Sequence, residues 1–176
     1  MTVSEQFTVP RAVLFGVEQI KQIDTCLDEL EKNTGVTDTI LTDITGQSVV
    51  CRGKIITRDA EALAALIAGS HAASAEFGRV LGKTCPVVNL FHEAETYSIY
   101  STNVADALIL SVAFEKNVKL GMVRFFVEQT GHRLTEIVNE LRSAPLDEEQ
   151  VKLRIVDEDF DNFLEKEFAE IKKLKK

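Results

Sequence analysis

Apolar positions recur first at helical spacing: Phe15, Ile20, Ile23, Leu27 and Leu30 lie on one stripe, and Asn33 to Gly35 ends that helix. The period then drops to that of strands. Thr37 to Asp43 (TDTILTD) is short and rich in β-branched residues, Thr45-Gly46 reverses the chain, and Gln47 to Arg52 (QSVVCR) returns. This predicts a hairpin, with Gly46 free to take φ > 0 at the turn. Asp59 to Gly82 (DAEALAALIAGSHAASAEFGRVLG) is alanine-rich and free of proline, which predicts a helix of 24 residues. It spans roughly 36 Å at about 1.5 Å per residue. Three β-rich runs follow: Val87 to His92, Tyr97 to Asn103, and Ala107 to Phe114. The last is almost wholly apolar, as a central strand covered on both faces must be. Asn117 is then expected to cap a further helix with Leu120, Val123, Val127, Leu134, Ile137, Val138 and Leu141 on one stripe. Gly131 interrupts that helix at a cost of about 1 kcal/mol relative to alanine, which close packing would explain.

The long helix around Ala72 organises the rest. Asp59 can cap its first turn, and Gly82 with Lys83 ends it. One long face carries Leu63, Leu66, Ile67, Phe77 and Leu81, large enough to seat the helix on a sheet. The other carries Ala62, Ala65, Gly69, Ala72 and Ala73, then Glu76 and Val80. A row of small residues has two readings: exposed alanine chosen for propensity, or a surface that another backbone approaches closely. The second makes this a helix packed twice, once on its own sheet and once on a partner.

The order of elements predicts an α+β domain with a five-stranded antiparallel sheet flanked by helices. Residues 1–15, with Pro10 among them, are expected to form a flexible arm, 16–142 the domain, and 143–156 a charged linker stopped by Pro145. Residues 157–176 form a separate C-terminal amphipathic helix, with Phe160, Phe163, Leu164, Phe168, Ile171 and Leu174 on one stripe.

Bulk properties narrow the class. A net charge of −8 argues against nucleic acid, whose binding rests on basic groups meeting phosphates. No window approaches the length of a membrane span, so no membrane partner is expected. The amino terminus lacks a basic start followed by an apolar core, so no secretory signal is expected. Cys26, Cys51 and Cys85 then read as reduced thiols in a cytoplasm.

The catalytic inventory is thin. Neither GxxxxGK[ST] nor GxGxxG is present, so nucleotide binding by those loops is not expected. His71, His92 and His132 lie far apart in sequence and show no metal-ligand spacing. His92 and Glu93 are neighbours on a strand end, so their side chains point to opposite faces. Glu76 and Arg79 are spaced to pair with each other on the long helix. The chain is read as no enzyme, with no catalytic residue, no metal and no cofactor.

Several segments resemble a known family. The small-residue helix (LAALIAGSHAA) running from a hairpin to three strands is similar to the Roadblock/LC7 superfamily. The turn TDITGQSVV, the strand pair FHEAETYSIY, NVKLGMVRF at the third helix and DEDFDNFLEKEF in the tail resemble the bacterial MglB family within it. That resemblance covers roughly Phe15 to Phe168 and implies a homodimer whose central helices pack together and whose sheets join edge to edge. It implies a Ras-like small GTPase of the MglA type as partner, and GTPase activation through remodelled switch loops without an arginine finger. The dimer and platform residues it implies are Ala65, Gly69, Ala72, Ala73 and Glu76. The tail contacts it implies are Phe160, Phe163, Leu164 and Phe168, which would make a second contact that promotes nucleotide exchange. Glu76, in a row of small residues, and the basic run Lys172 to Lys176 depart from the family pattern. A Roadblock-type scaffold that holds a partner without changing its rate is the alternative.

Overall fold

The eight elements follow the predicted order. The computed structural model describes residues 15–53, 59–82 and 88–143. They form α1 (Val17–Thr34), β1 (Asp38–Asp43), β2 (Ser48–Arg52), α2 (Ala60–Val80), β3 (Asn89–Glu93), β4 (Tyr97–Val104), β5 (Leu108–Glu115) and α3 (Leu120–Ser143). The expected N-terminal arm up to Leu14, and the expected linker and C-terminal helix from Ala144 on, lie outside the described residues.

The strands make one antiparallel sheet in the order β2-β1-β5-β4-β3. The apolar run of β5 has its reason here, since alternate residues serve two cores. Leu108, Leu110, Val112 and Phe114 pack with α1 and α3, whereas Ile109 packs with α2. Helix α1 seats Ile23, Leu27 and Leu30 on the first core with almost no exposure. Three such side chains contribute roughly 4.5–9 kcal/mol, and that packing holds a helix whose own length is marginal in water. Helix α3 buries Val123, Val127, Leu134, Ile137 and Val138 along the predicted stripe.

Local chemistry closes the corners. Gly35 ends α1 at φ +70°, and its amide donates to the Glu31 carbonyl. At the hairpin, Asp43 Oδ1 accepts from the Thr45 amide (2.9 Å), the Thr45 hydroxyl (2.7 Å) and the Gln47 amide (2.8 Å). Gly46 takes φ +95°, as expected, and a Cβ there would stand 3.0 Å from the Ala65 Cα. The close approach that the alanine row suggests thus occurs first within the chain, between α2 and the hairpin. Arg52 then ties β2 to α1: its guanidinium donates to Asp24 Oδ1 (2.7 Å), Asp28 Oδ1 (2.5 Å) and Glu31 Oε2 (3.5 Å). Burial disfavours its charge, but the bonds to Asp24 and Asp28 more than offset this and raise its pKa.

Three expectations are corrected. Asp59 makes no side-chain hydrogen bond to the first turn of α2. Asn117 does not cap α3, which begins at Leu120 with the Lys119 carbonyl accepting from the Val123 amide (3.2 Å). Gly131 is not demanded by close packing. A Cβ there would meet the Thr102 and Val104 methyl carbons at 3.8 Å, an ordinary van der Waals contact. Among the described cysteines, Cys26 is buried and Cys51 half-buried, and both are free thiols.

Candidate interaction surface

Among the described elements helix α2 is the one that packs on this face of the sheet, and it is turned differently from the sequence expectation. The residues it buries are Ala64, Ile67, Ala68 and His71, packed on Ile40 of β1 and Ile109 of β5 with Cys51 alongside. Of the row expected to seat it, Ile67 is buried and Leu63 half-buried, but Leu66 is 67 %, Phe77 68 % and Leu81 73 % exposed. The physical reason is proximity. Where the helix backbone stands at the hairpin turn, small residues such as Ala65 and Ala68 meet Gly46, and the row that turns to the sheet is Ala64, Ile67, Ala68 and His71 rather than the one with Leu66, Phe77 and Leu81.

The predicted small-residue row is on the outside as expected. Ala62, Ala65, Gly69, Ala72, Ala73 and Glu76 are all exposed, and a Cβ on Gly69 would meet nothing within 4 Å. Glu76 accepts from Arg79 through both carboxylate oxygens (2.8 and 3.0 Å to Nε), which holds its carboxyl below the usual range. The outward face therefore combines small residues with Leu66, Phe77, Val80 and Leu81, an exposed apolar stripe that no other described element covers.

Beside α2 the sheet is only partly covered. A cleft of about 650 Å³ opens over Ile40, Leu63, Tyr97, Ile99 and Ala113. A second, of about 440 Å³, continues toward β3 past His71, Leu90 and His92. The two share Leu63, Ile67, Tyr97 and Ile99, so together they form one groove along the β4–β3 side of α2. The groove ends at β3, which pairs with β4 on one side and has no strand neighbour on the other among the described residues. An open sheet edge offers its backbone groups to another strand.

His92 and Glu93 occupy successive β3 positions opposite Ile99 and Ser98, and Glu93 forms an ion pair with Lys116 (2.5 Å). Among the described residues no group of three or more His, Cys, Asp or Glu is placed to hold a metal, and no helix is long and apolar enough to cross a membrane. The structure thus brings Ala65, Gly69, Ala72, Ala73 and Glu76 together on one face, while Phe160, Phe163, Leu164 and Phe168 lie outside the described residues. Sequence reasoning missed His71 as a groove residue. Its only signal is position, four residues after Ile67 on the buried side.

The Roadblock/LC7 domain model matches residues 22–114. Among solved structures, the chain is similar to Myxococcus xanthus MglB at 30 % identity and a TM-score of 0.69, covering 77 % of this chain and 99 % of that one. It is also similar in fold to the gliding protein MglB from Thermus thermophilus (23 % identity, TM-score 0.66, 75 % and 98 % covered). A third likeness of fold is to an MglB described as having a tetrameric arrangement (22 % identity, TM-score 0.67, 76 % and 98 % covered). No curated protein sequence matches the chain.

Proposed function

The chain belongs to the Roadblock/LC7 domain family, and on that premise we propose that it is an MglB-like homodimer that regulates a small Ras-like GTPase. In this reading it acts as the GTPase-activating protein of an MglA-type partner in the cytoplasm, within a system that sets cell polarity for motility. The observation that carries the reading is the outward face of α2. Small residues flanked by Leu66, Phe77, Val80 and Leu81 lie beside an open β3 edge, so one two-fold contact can cover an apolar helix and pair a strand.

The chain supplies no nucleotide loop, so hydrolysis belongs to the partner. An activator can donate an arginine to the γ-phosphate or reshape the partner's own catalytic loops. Of the described arginines Arg52, Arg79, Arg124, Arg133 and Arg142, three are already engaged: Arg52 by three α1 carboxylates, Arg79 by Glu76 and Arg133 by Glu29. This favours remodelling of the switch loops over a finger. The apolar stripe Phe160, Phe163, Leu164 and Phe168 supplies a second contact that promotes nucleotide exchange.

Single-turnover GTP hydrolysis by an MglA-type GTPase, with and without this protein, tests the reading. Acceleration is expected. Binding without acceleration would establish the scaffold alternative instead, and absence of binding would refute both. Release of a fluorescent nucleotide with a Phe163→Asp, Phe168→Asp double variant tests the tail contact. An unchanged exchange rate would remove it from the mechanism.

A further inference from the structure

Helix α2 is seated on the sheet by the inward side chains Ala64, Ile67, Ala68 and His71, and His71 is the last of them along the chain. From Ala72 to Val80 the helix buries no side chain, so the seating of its C-terminal half ends at that imidazole. His71 is 8 % exposed, and both its Nδ1 and its Nε2 are buried without a hydrogen-bond partner. A neutral ring survives there at the cost of two unmade hydrogen bonds. An imidazolium would have two N–H donors and a charge to place in the same dry site, which costs far more.

Among the described residues no group is placed to take that charge. His92 and Glu93 from β3 and Tyr97 from β4 line the cleft with His71. Glu93 is engaged by Lys116, and His92 adds charge of the same sign when protonated. Asp38 of β1 and Glu115 of β5 line the adjoining cleft, of which His71 is no part. On α2 itself Glu76 is held by Arg79. The neighbouring hydroxyls are spent as well: Ser70 donates to the Leu66 carbonyl (2.8 Å), and Ser111 donates to Ser101 (2.8 Å). Both ring nitrogens are shut off from water, so a proton reaches them only when this part of α2 lifts from the sheet.

We propose that His71 is an acid-sensitive latch of α2: the neutral ring seats the C-terminal half of the helix, and proton uptake releases that half together with the outward row Ala72, Ala73 and Glu76. The latch is internal to the protomer. Its effect on a partner rests on the reading of that row as an interaction face.

The sign follows from burial. Burial, and then the neighbouring His92 charge, holds the His71 imidazole below its ordinary value of 6.5. The seated helix therefore binds fewer protons than the lifted one. The latch holds in full above that ordinary value and weakens as the pH falls from it toward the lowered value of the seated ring.

Amide hydrogen exchange of the full chain at pH 7.5, 6.5 and 5.5, at fixed protein concentration and corrected for intrinsic exchange rates, reads the opening of residues 72–80 directly. Uptake of one proton per opening raises the opening constant by up to about tenfold per pH unit below 6.5, so a rise on the order of tenfold is expected between pH 7.5 and 5.5. His71→Leu is apolar and cannot titrate, so its opening constant should stay flat. Should that variant not fold, NMR titration of the His71 ring in the natural chain replaces it, and its midpoint should lie below 6.5. Opening that is independent of pH, or that rises equally in His71→Leu, overturns the inference, as does a ring that titrates at or above 6.5. None of these results touches the GTPase reading, which the hydrolysis assay tests separately.

Discussion

Replacing Ala72 by arginine separates the two roles of α2. In the protomer Ala72 is exposed, so the change touches no core and costs only a few tenths of a kcal/mol in helix propensity. At a helix contact built on small residues, a long side chain overpacks the space, typically at about 1–3 kcal/mol, and its charge must also be desolvated. A two-fold interface meets each substitution twice, so the packing cost alone is about 2–6 kcal/mol per dimer. At about 1.4 kcal/mol per tenfold, Kd should rise roughly 30-fold to more than 10⁴-fold while the thermal midpoint of the separated protomer barely moves. Sedimentation velocity over a dilution series, read with circular dichroism melts, measures both quantities. Gln129→Arg, exposed on α3 across the sheet, is the control and should leave the dimer unchanged. An Ala72→Arg chain that stays dimeric within about threefold of the natural Kd would refute the assignment of this face.

Three further outcomes follow from the same geometry. Gly53→Ala should destabilise the domain by about 3 kcal/mol or more in urea unfolding, because φ is +106° and its Cβ would stand 2.2 Å from Asp38 Oδ1 and 2.7 Å from the Thr37 carbonyl. Gly131→Ala should instead raise stability by about 0.5–1 kcal/mol, since the new methyl enters ordinary contact and the helix loses a flexible residue; a lower urea midpoint would contradict this. No arginine-to-alanine variant that stays folded and dimeric should lose most of the GTPase stimulation. A supplied finger is worth about 10³–10⁵ in rate, so one variant losing about a hundredfold at saturating protein would restore the finger mechanism.

The local elements were legible in the residues because their causes are local. The stripe of α3 and the apolar run of β5 each carry their period in the chain itself. So does the Asp43–Gly46 hairpin, whose turn is made by residues within four positions of one another. The outward row Ala62, Ala65, Gly69, Ala72 and Ala73 was also readable, since small residues at helical spacing form a face wherever the helix lies. The azimuth of α2 was not. A helix apolar on most of its circumference has no polar side to orient it, so hydrophobicity assigned Leu66, Phe77 and Leu81 to the sheet. The fold assigned them to the surface, because the approach of Gly46 to Ala65 and Ala68 sets the helix with Ala64, Ile67, Ala68 and His71 toward the sheet. The meeting of His71 with His92, twenty-one positions apart in the chain, was likewise decided by tertiary packing. It depends on which strand lies at the sheet edge beside α2, and strand order is a property of long-range pairing that no local period contains.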